Sequence, residues 1–182
     1  MTTFLRRGAL RAVNVRQVSA IELEPQLASL VDLLWDAVDA GASLGFLPPL
    51  ADDEARAYWR SLLPELERGS RVLLAAFVGE RLVGSVQLAL SPWPSSPYRA
   101  EVQKLFVTTS LKGRGIGKLL LRSVHEAARQ RGRSLLILNA RLGDPAERFY
   151  RGQGYRQAGI IPGYSLGAAG ERCDNLIMYR EI

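Results

Sequence analysis

The stretch from Val102 to Leu121 constrains the fold of this chain more than any other part of it. It begins as an apolar strand, turns through three alternating glycines (Gly113, Gly115 and Gly117) and continues with the periodicity of a helix. Glycine leaves the backbone amides uncovered by a Cβ atom, and the first N–H groups of a helix lack internal partners and carry partial positive charge. The stretch therefore predicts an anion site at a strand-to-helix turn, and a pyrophosphate is its natural ligand.

Charge and spacing narrow the choice of ligand. Lys112, Arg114 and Lys118 place formal positive charge around the turn. A magnesium-nucleotide loop requires G-x-x-x-x-G-K-[ST], but Lys112 stands at the first glycine and Leu119 at the hydroxyl residue. The dinucleotide fingerprint G-x-G-x-x-G fails because the glycines run 113, 115 and 117. The turn alone leaves open an ordinary glycine-rich connection.

Length and charge indicate one globular domain. The 182 residues suit a single domain, which we place at residues 11–182 behind a basic N-terminal extension at residues 1–10 that is expected to be mobile. The net charge of +6 raises the question of nucleic acid. Four arginines cluster at positions 6, 7, 11 and 16, and no basic tract is interleaved with aromatic residues. A polyanionic cofactor therefore explains the charge better than DNA, and no nucleic-acid partner is expected.

Cysteine usage and hydropathy favour a cytoplasmic protein. The single cysteine, Cys173, excludes an internal disulfide and fits a reducing compartment. No apolar run approaches ~20 residues, and residues 1–17 lack a signal-peptide core. We expect no membrane partner and no metal site, and either a monomer or a homodimer.

Periodicity along the chain predicts alternating strands and helices. Strands are predicted at residues 12–18, 71–78, 82–90, 100–107, 135–140, 155–161 and 175–181, and helices at 25–40, 52–66, after the glycine turn, and from 145 to near 154. The apolar run at 135–140 is expected to be buried on both faces. His125 is predicted on the solvated basic stripe of its helix. Residues 162–173 are predicted as a linker, either flexible or facing the substrate.

Two motifs resemble the GCN5-related N-acetyltransferase (GNAT) family. Lys112, Gly115 and Gly117 fill its acetyl-CoA loop, [Q/R]-x-x-G-x-[G/A], with lysine in the place of Gln or Arg. A-E-R-F-Y-R-G-Q-G-Y at 146–155 resembles its A-x-x-F-Y-x-x-x-G-[YF] block. The resemblance implies a mixed α/β fold with a mostly antiparallel, splayed sheet of six to seven strands flanked by about four helices. It also implies acetyl-CoA as cofactor and N-acetyltransferase activity.

Within that family, three further segments are similar to the tabtoxin-resistance acetyltransferase. These are G-A-S-L-G-F at 41–46, R-A-E-V-Q-K-L at 99–105 and P-G-Y at 162–164. An acid stands in that relative where this chain has Asn139, so a proton-accepting role is not transferred to Asn139. The resemblance implies as acceptor the primary amine of a small molecule, with amino-acid-like toxins and antibiotics among the candidates. A non-catalytic acyl-CoA-binding regulator and a peptide or protein N-acetyltransferase are the alternatives.

Two residues are candidates for proton transfer. Acetyl transfer needs a neutral amine, and Glu101 on the central strand is the candidate base. Four residues along a strand span ~13 Å, so Glu101 would act through a water or on a long substrate, and regular alternation puts it on the face of Leu105 unless a bulge intervenes. Its alternative is an ion pair with Arg99 or another arginine. Tyr150 matches the family's acid for the departing thiolate; the alternatives are that its hydroxyl only orients the sulfur or caps a core aromatic residue.

The resemblance also implies the remaining contacts of the site. Pantetheine is expected to bond the backbone of the central strand where the next strand parts from it. The expected cofactor contacts are Leu105, Phe106, Val107, Lys112, Gly113, Arg114, Gly115, Ile116, Gly117, Lys118, Asn139, Ala146 and Tyr150. The expected acceptor pocket consists of Ser43, Leu44, Phe46 and Tyr164.

Overall fold

The computed structural model describes residues 12–182, so the predicted extension at residues 1–10 lies outside the described part of the chain. The strands are β1 (Val13–Val18), β2 (Arg71–Val78), β3 (Arg81–Leu90), β4 (Arg99–Val107), β5 (Leu135–Arg141), β6 (Arg156–Leu166) and β7 (Arg172–Glu181). The helices are α1 (Ala20–Asp39), α2 (Asp52–Ser61), α3 (Leu63–Glu67), α4 (Ile116–Arg129) and α5 (Pro145–Gly152), with a 3-10 turn at Thr109–Leu111. None of the described helices is both long enough and apolar enough to cross a bilayer.

The seven strands form one sheet in the order β1-β2-β3-β4-β5-β7-β6. Every neighbouring pair is antiparallel except β4 and β5. Helix α4 covers one face and helices α1 and α2 cover the other, so the sheet separates two hydrophobic cores. The α4-side core includes Ala100, Val102, Val107, Leu120, Leu138, Leu176 and Met178. The α1-side core includes Leu27, Leu34, Trp59, Leu73, Ala75 and Phe106. The predicted mixed fold with a mostly antiparallel sheet is confirmed.

Strands β4 and β5 part soon after they begin. They pair only where Arg99–Glu101 lie beside Leu135–Ile137. Beyond Glu101, β4 continues to Val107, and among the described strands only β3 is hydrogen-bonded to it there. The edge of β4 that faces β5 therefore carries backbone N–H and C=O groups without a strand partner, and the splayed sheet expected from the resemblance is present.

A bulge in β4 reverses the order of its faces. Gln103 lies opposite Gln87 but Phe106 lies opposite Ser85, so Lys104 and Leu105 share one position of β3. Lys104 has a φ of 50°, a left-handed conformation that is unusual for a residue other than glycine. Leu105 consequently packs against the α4-side core and Phe106 enters the α1-side core. Glu101 and Leu105 lie on opposite faces, so the same-face arrangement expected from regular alternation does not occur.

Helix α1 begins five residues earlier than predicted because a capping box starts it. The Glu22 carboxylate accepts hydrogen bonds from the backbone N–H (2.9 Å) and the hydroxyl (2.7 Å) of Ser19. Pro25, at which the predicted helix began, lies inside α1. The single helix predicted at 52–66 is two helices, because α2 ends at Ser61 and Pro64 lies in the first turn of the short α3.

Three local predictions were wrong. Strand β5 is buried on one face only: Leu136 and Leu138 are buried, whereas Asn139 is exposed. The predicted linker at 162–173 is largely strand, because β6 runs on through an irregularity between Ile161 and Ser165. His125 is only 6% exposed and its Nε2 lies 3.0 Å from the Tyr155 hydroxyl, so it belongs to the buried face of α4 and not to the solvated stripe.

Candidate active site

The gap between β4 and β5 opens into a large cavity. Its volume is about 1000 Å³, which is sufficient for a large cofactor and part of a second ligand. Five parts of the chain form its walls: the loop after α1, the unpaired edge of β4, the glycine turn, the start of α5, and the neighbouring ends of β5, β6 and β7.

The glycine turn beside this cavity contains six consecutive backbone amides without an acceptor, and five of their residues line the cavity. The first hydrogen bond of α4 runs from the Leu119 N–H to the Gly115 carbonyl (3.0 Å), and the N–H groups of residues 113–118 have no acceptor within residues 12–182. Gly113 and Gly115 have φ values of 76° and 84°, and a Cβ added to either would meet nothing within 4 Å. The space over the amides is therefore open. Six free donors at a helix N-terminus form a cradle for a diphosphate.

The strand end before the cradle is tied to α1. The Asp36 carboxylate accepts hydrogen bonds from the Thr109 N–H (2.7 Å) and hydroxyl (2.6 Å). Partial burial opposes ionisation of Asp36, but the hydrogen bonds from Thr109 and Thr108 and the charge of Lys112 outweigh it and lower its pKa. Asp36 is thus held as an anion that anchors the start of the turn.

Glu101 lies at the apex of the gap. It is the last β4 residue that pairs with β5, opposite Ile137, and its side chain lines the cavity. No ion pair joins Glu101 to an arginine or lysine within residues 12–182. The alternative prediction, an ion pair between Glu101 and Arg99, is therefore not observed there. The carboxylate is available to a ligand in the cavity.

Tyr150 reaches the cavity from α5. It is 7% exposed and packs edge to face against Phe149 and Tyr155, with ring centroids 5.3 and 5.6 Å away. Its hydroxyl has no hydrogen-bond partner among the described residues, and burial raises the pKa of Tyr150. The phenol therefore stays protonated and can donate a hydrogen bond to a ligand.

The half of the cavity beside the loop after α1, where the acceptor is expected and which is called the acceptor half below, adjoins a lysine that sequence reasoning missed. Lys104 donates a hydrogen bond to the Leu44 carbonyl, and its Nζ lies over the rings of Phe46 (5.2 Å) and Tyr58 (5.4 Å). Burial lowers the pKa of Lys104, the Arg71 guanidinium lowers it further, and the Glu101 carboxylate opposes both. Lys104 ties the loop after α1 to β4. Its position could not be anticipated because it depends on the bulge.

Two asparagines form the opposite wall. The Asn175 side-chain N–H donates to the Asn139 side-chain oxygen at 3.0 Å, and both residues line the cavity. Ser165 and Tyr164 lie beside them on β6. Sequence reasoning named Asn139 and Tyr164 but missed Ser165 and Asn175. The signal for Asn175 is a polar residue at the start of the apolar run L-I-M-Y.

Most of the residues predicted for the site surround one cavity. Arg114 and Phe46 are not among the residues that line it; Phe46 lies behind the wall, edge to face with Tyr58 at 5.1 Å. Ser43, Leu44 and Tyr164 border the acceptor half, whereas Leu105, Phe106, Val107 and Ala146 lie along the gap. An anion cradle, an unpaired strand edge, and a carboxylate and a phenol around one cleft are the features of an acyl-CoA-dependent transferase.

Comparison with known proteins identifies the family. The model of the acetyltransferase (GNAT) family matches residues 29–155, which is more than half of the chain, so this chain belongs to that family. Acetyl-CoA is the cofactor of the family, and its prediction from the resemblance is confirmed. The cradle of six free amides and the unpaired edge of β4 fit the diphosphate and the amide arm of this cofactor.

Solved structures share the fold over nearly the whole chain. A ribosomal-protein-alanine N-acetyltransferase from Brucella melitensis is 25% identical, with a TM-score of 0.75 over 93% of this chain and 99% of that one. An N-acetyltransferase from Staphylococcus aureus is 17% identical, with a TM-score of 0.76 over 93% and 98%. A protein from Salmonella typhimurium solved with acetyl-CoA as its cofactor is 16% identical, with a TM-score of 0.75 over 93% and 94%.

Proposed function

We propose that this chain transfers the acetyl group of acetyl-CoA directly to the primary amine of a small molecule while both substrates are bound. The observation that carries this proposal is the cradle of six free amides at residues 113–118, which opens into the same cleft as Glu101 and Tyr150. Lys112 and Lys118 line that cleft and add positive charge beside the amides. A site for the cofactor diphosphate and a site for acid–base chemistry are thus joined.

In this mechanism the chain binds and orients while the cofactor brings the acyl group. Bound acetyl-CoA supplies an activated thioester. The unpaired edge of β4 holds the amide arm, and an N–H at Leu105 or Phe106 donates to the carbonyl oxygen that gains charge during the reaction. Glu101 accepts a proton from the acceptor ammonium, directly or through a water. The neutral amine that results attacks the thioester carbonyl carbon.

Tyr150 acts at the departing sulfur. Because burial raises the pKa of Tyr150, the phenol stays protonated. It donates a hydrogen bond to the sulfur while negative charge develops there. A thiol has a pKa of about 8.5, below the raised pKa of the Tyr150 phenol, so the phenol keeps its proton and stabilises the departing thiolate by a hydrogen bond. The second proton lost by the attacking nitrogen neutralises the thiolate.

The residues around the acceptor half support a small acceptor. Lys104 fixes the loop after α1 against β4, and Tyr164 stands at the opposite border. The segments similar to the tabtoxin-resistance acetyltransferase lie in these walls, which supports an amino-acid-like amine. The Brucella melitensis relative is a ribosomal-protein-alanine N-acetyltransferase, so a peptide with an N-terminal alanine is the second candidate acceptor.

Calorimetry with CoA tests the cradle. In Gly115→Asp a carboxylate enters the cradle, so affinity should fall by about 30- to 100-fold from charge repulsion and lost donors. Gly132→Asp is the matched control, because Gly132 also has a positive φ (67°) and open space at Cβ but lies at the far end of α4. Equal CoA affinity in Gly115→Asp and wild type would remove the basis of the proposal.

A thiol-release assay tests the chemistry. Acetyl-CoA is offered with amino acids, polyamines, aminoglycosides, tabtoxinine-like lactams and peptides that begin with alanine. The double variant Glu101→Gln, Tyr150→Phe should bind CoA and lose turnover. Activity confined to peptides would refute the small-molecule acceptor. Binding of CoA without turnover of any amine would indicate a non-catalytic regulator.

A further inference from the structure

Two buried polar atoms in the acceptor half of the cleft have no partner within residues 12–182. Asn175 is 3% exposed; its N–H donates to Asn139, but its Oδ1 accepts no hydrogen bond from that part of the chain. The Ser165 Oγ is likewise buried without a partner. Both residues line the cleft. Folded proteins satisfy nearly all buried polar groups, so two unsatisfied atoms from adjacent strands at one cavity point to a ligand that completes them.

Asn175 lies on the same face of the sheet as Glu101, the proposed base. On β7, Leu176 and Met178 enter the α4-side core, so Asn175 projects from the opposite face. The same alternation on β5 places Asn139 on that opposite face. Glu101 shares it, because its β4 neighbours on either side enter the α4-side core. Asn175 therefore lies on the face of the proposed base and away from the face that α4 covers.

We propose that Asn175 and Ser165 form a polar subsite that binds a second, neutral hydrogen-bonding group of the acceptor, either a hydroxyl or a carboxamide. This inference rests on the proposed function. The Asn175 Oδ1 is an acceptor and therefore requires an N–H or O–H donor, and the Ser165 hydroxyl can donate or accept. An ionised carboxylate has no donor and is repelled by the Oδ1 atom. The substrate class is thus a primary amine that also bears a hydroxyl or amide.

Four small amines that differ in one group test this subsite. Propylamine, 3-aminopropanol, β-alaninamide and β-alanine are compared by thiol release at saturating acetyl-CoA. The wild type should favour the alcohol and the amide over propylamine by about ten- to a hundredfold in kcat/KM, as expected for one buried hydrogen bond. β-Alanine should not share that advantage. Asn175→Leu and Ser165→Ala should each narrow the ratio, whereas the exposed, distant Asn14→Leu should keep it.

A binding measurement separates this inference from the proposed function. The side-chain amide signals of Asn175 are followed by nitrogen-15 NMR in the CoA complex of the wild type, in which no turnover occurs. They should move with 3-aminopropanol and β-alaninamide and stay in place with propylamine. Movement without turnover of any amine would refute acetyl transfer and support the subsite.

Three results would overturn the subsite. The first is Asn175 signals that stay in place with all four amines. The second is a kcat/KM ratio in Asn175→Leu equal to that of a wild type that turns amines over. The third is a preference for β-alanine over its amide.

Discussion

The pH dependence of folding should be dominated, between neutral and mildly acidic pH, by one buried histidine. His125 is the only histidine of the chain, and it packs beside Tyr155 with ring centroids 5.8 Å apart. Burial lowers the pKa of His125 to about 4, and the nearby Arg180 and Arg129 act in the same direction. The folded protein therefore holds the imidazole neutral at a pH where the unfolded chain would protonate it.

The sign and size of the effect follow from that difference. A histidine has a pKa of about 6.5 in an unfolded chain, so protonation favours the unfolded state as the pH falls. The stabilisation is fully present above the unfolded pKa and is lost progressively towards the folded pKa of about 4. Linkage gives a loss of about 2 kcal/mol in the free energy of unfolding between pH 7 and pH 5.

Urea denaturation of the wild type and His125→Gln at both pH values measures this loss. Glutamine can still hydrogen-bond Tyr155 but does not titrate, and the carboxylates of both proteins titrate alike, so the difference between the two isolates the imidazole. The variant should lose about 2 kcal/mol less than the wild type. Equal losses, or an imidazole NMR titration centred near 6.5, would refute the burial argument.

Three further changes have effects that the structure predicts. Gly84→Ala should lower the free energy of unfolding by about 1–3 kcal/mol in urea, because the new Cβ would lie 3.0 Å from Leu120 Cδ1; an unchanged midpoint would contradict this packing. Gly117→Ala should raise that free energy by up to about 1 kcal/mol and retain CoA binding in calorimetry, because its Cβ meets only ordinary contacts. Asp36→Ala should remove both hydrogen bonds to Thr109 and weaken CoA binding roughly tenfold, whereas unaltered affinity would show that the turn holds its shape without this anchor.

The parts of the fold that depend on local chemistry could be predicted from the sequence. The hairpin of β2 and β3, the glycine turn and the start of α5 each carry their own signal in turn residues, caps and periodicity. Where two local signals compete, the prediction chose the wrong one. The start of α1 was placed at Pro25, but the capping box at Ser19 sets it, and a proline is tolerated in the first turns of a helix. His125 was misplaced because the buried stripe of α4 is wide enough to include it, and this width depends on Tyr155, which lies 30 positions away.

The candidate site also has a part that the sequence predicts and a part that it does not, and the bulge at Lys104 separates the two. The cradle consists of neighbouring residues, so the glycine spacing indicated an anion site there, with an ordinary glycine-rich connection as the alternative. The acceptor half consists of residues from β4, β6, β7 and the loop after α1, which meet only after the sheet has formed. One left-handed residue in β4 reverses the order of the faces, so Leu105 faces the α4-side core while Glu101 lies across the sheet with Asn139 and Asn175. Regular alternation along β4 therefore assigns the residues after Lys104 to the wrong face of the sheet. The neighbours predicted for those residues are then wrong as well. The acceptor chemistry has to be inferred from the unsatisfied atoms that the folded chain leaves in the cleft.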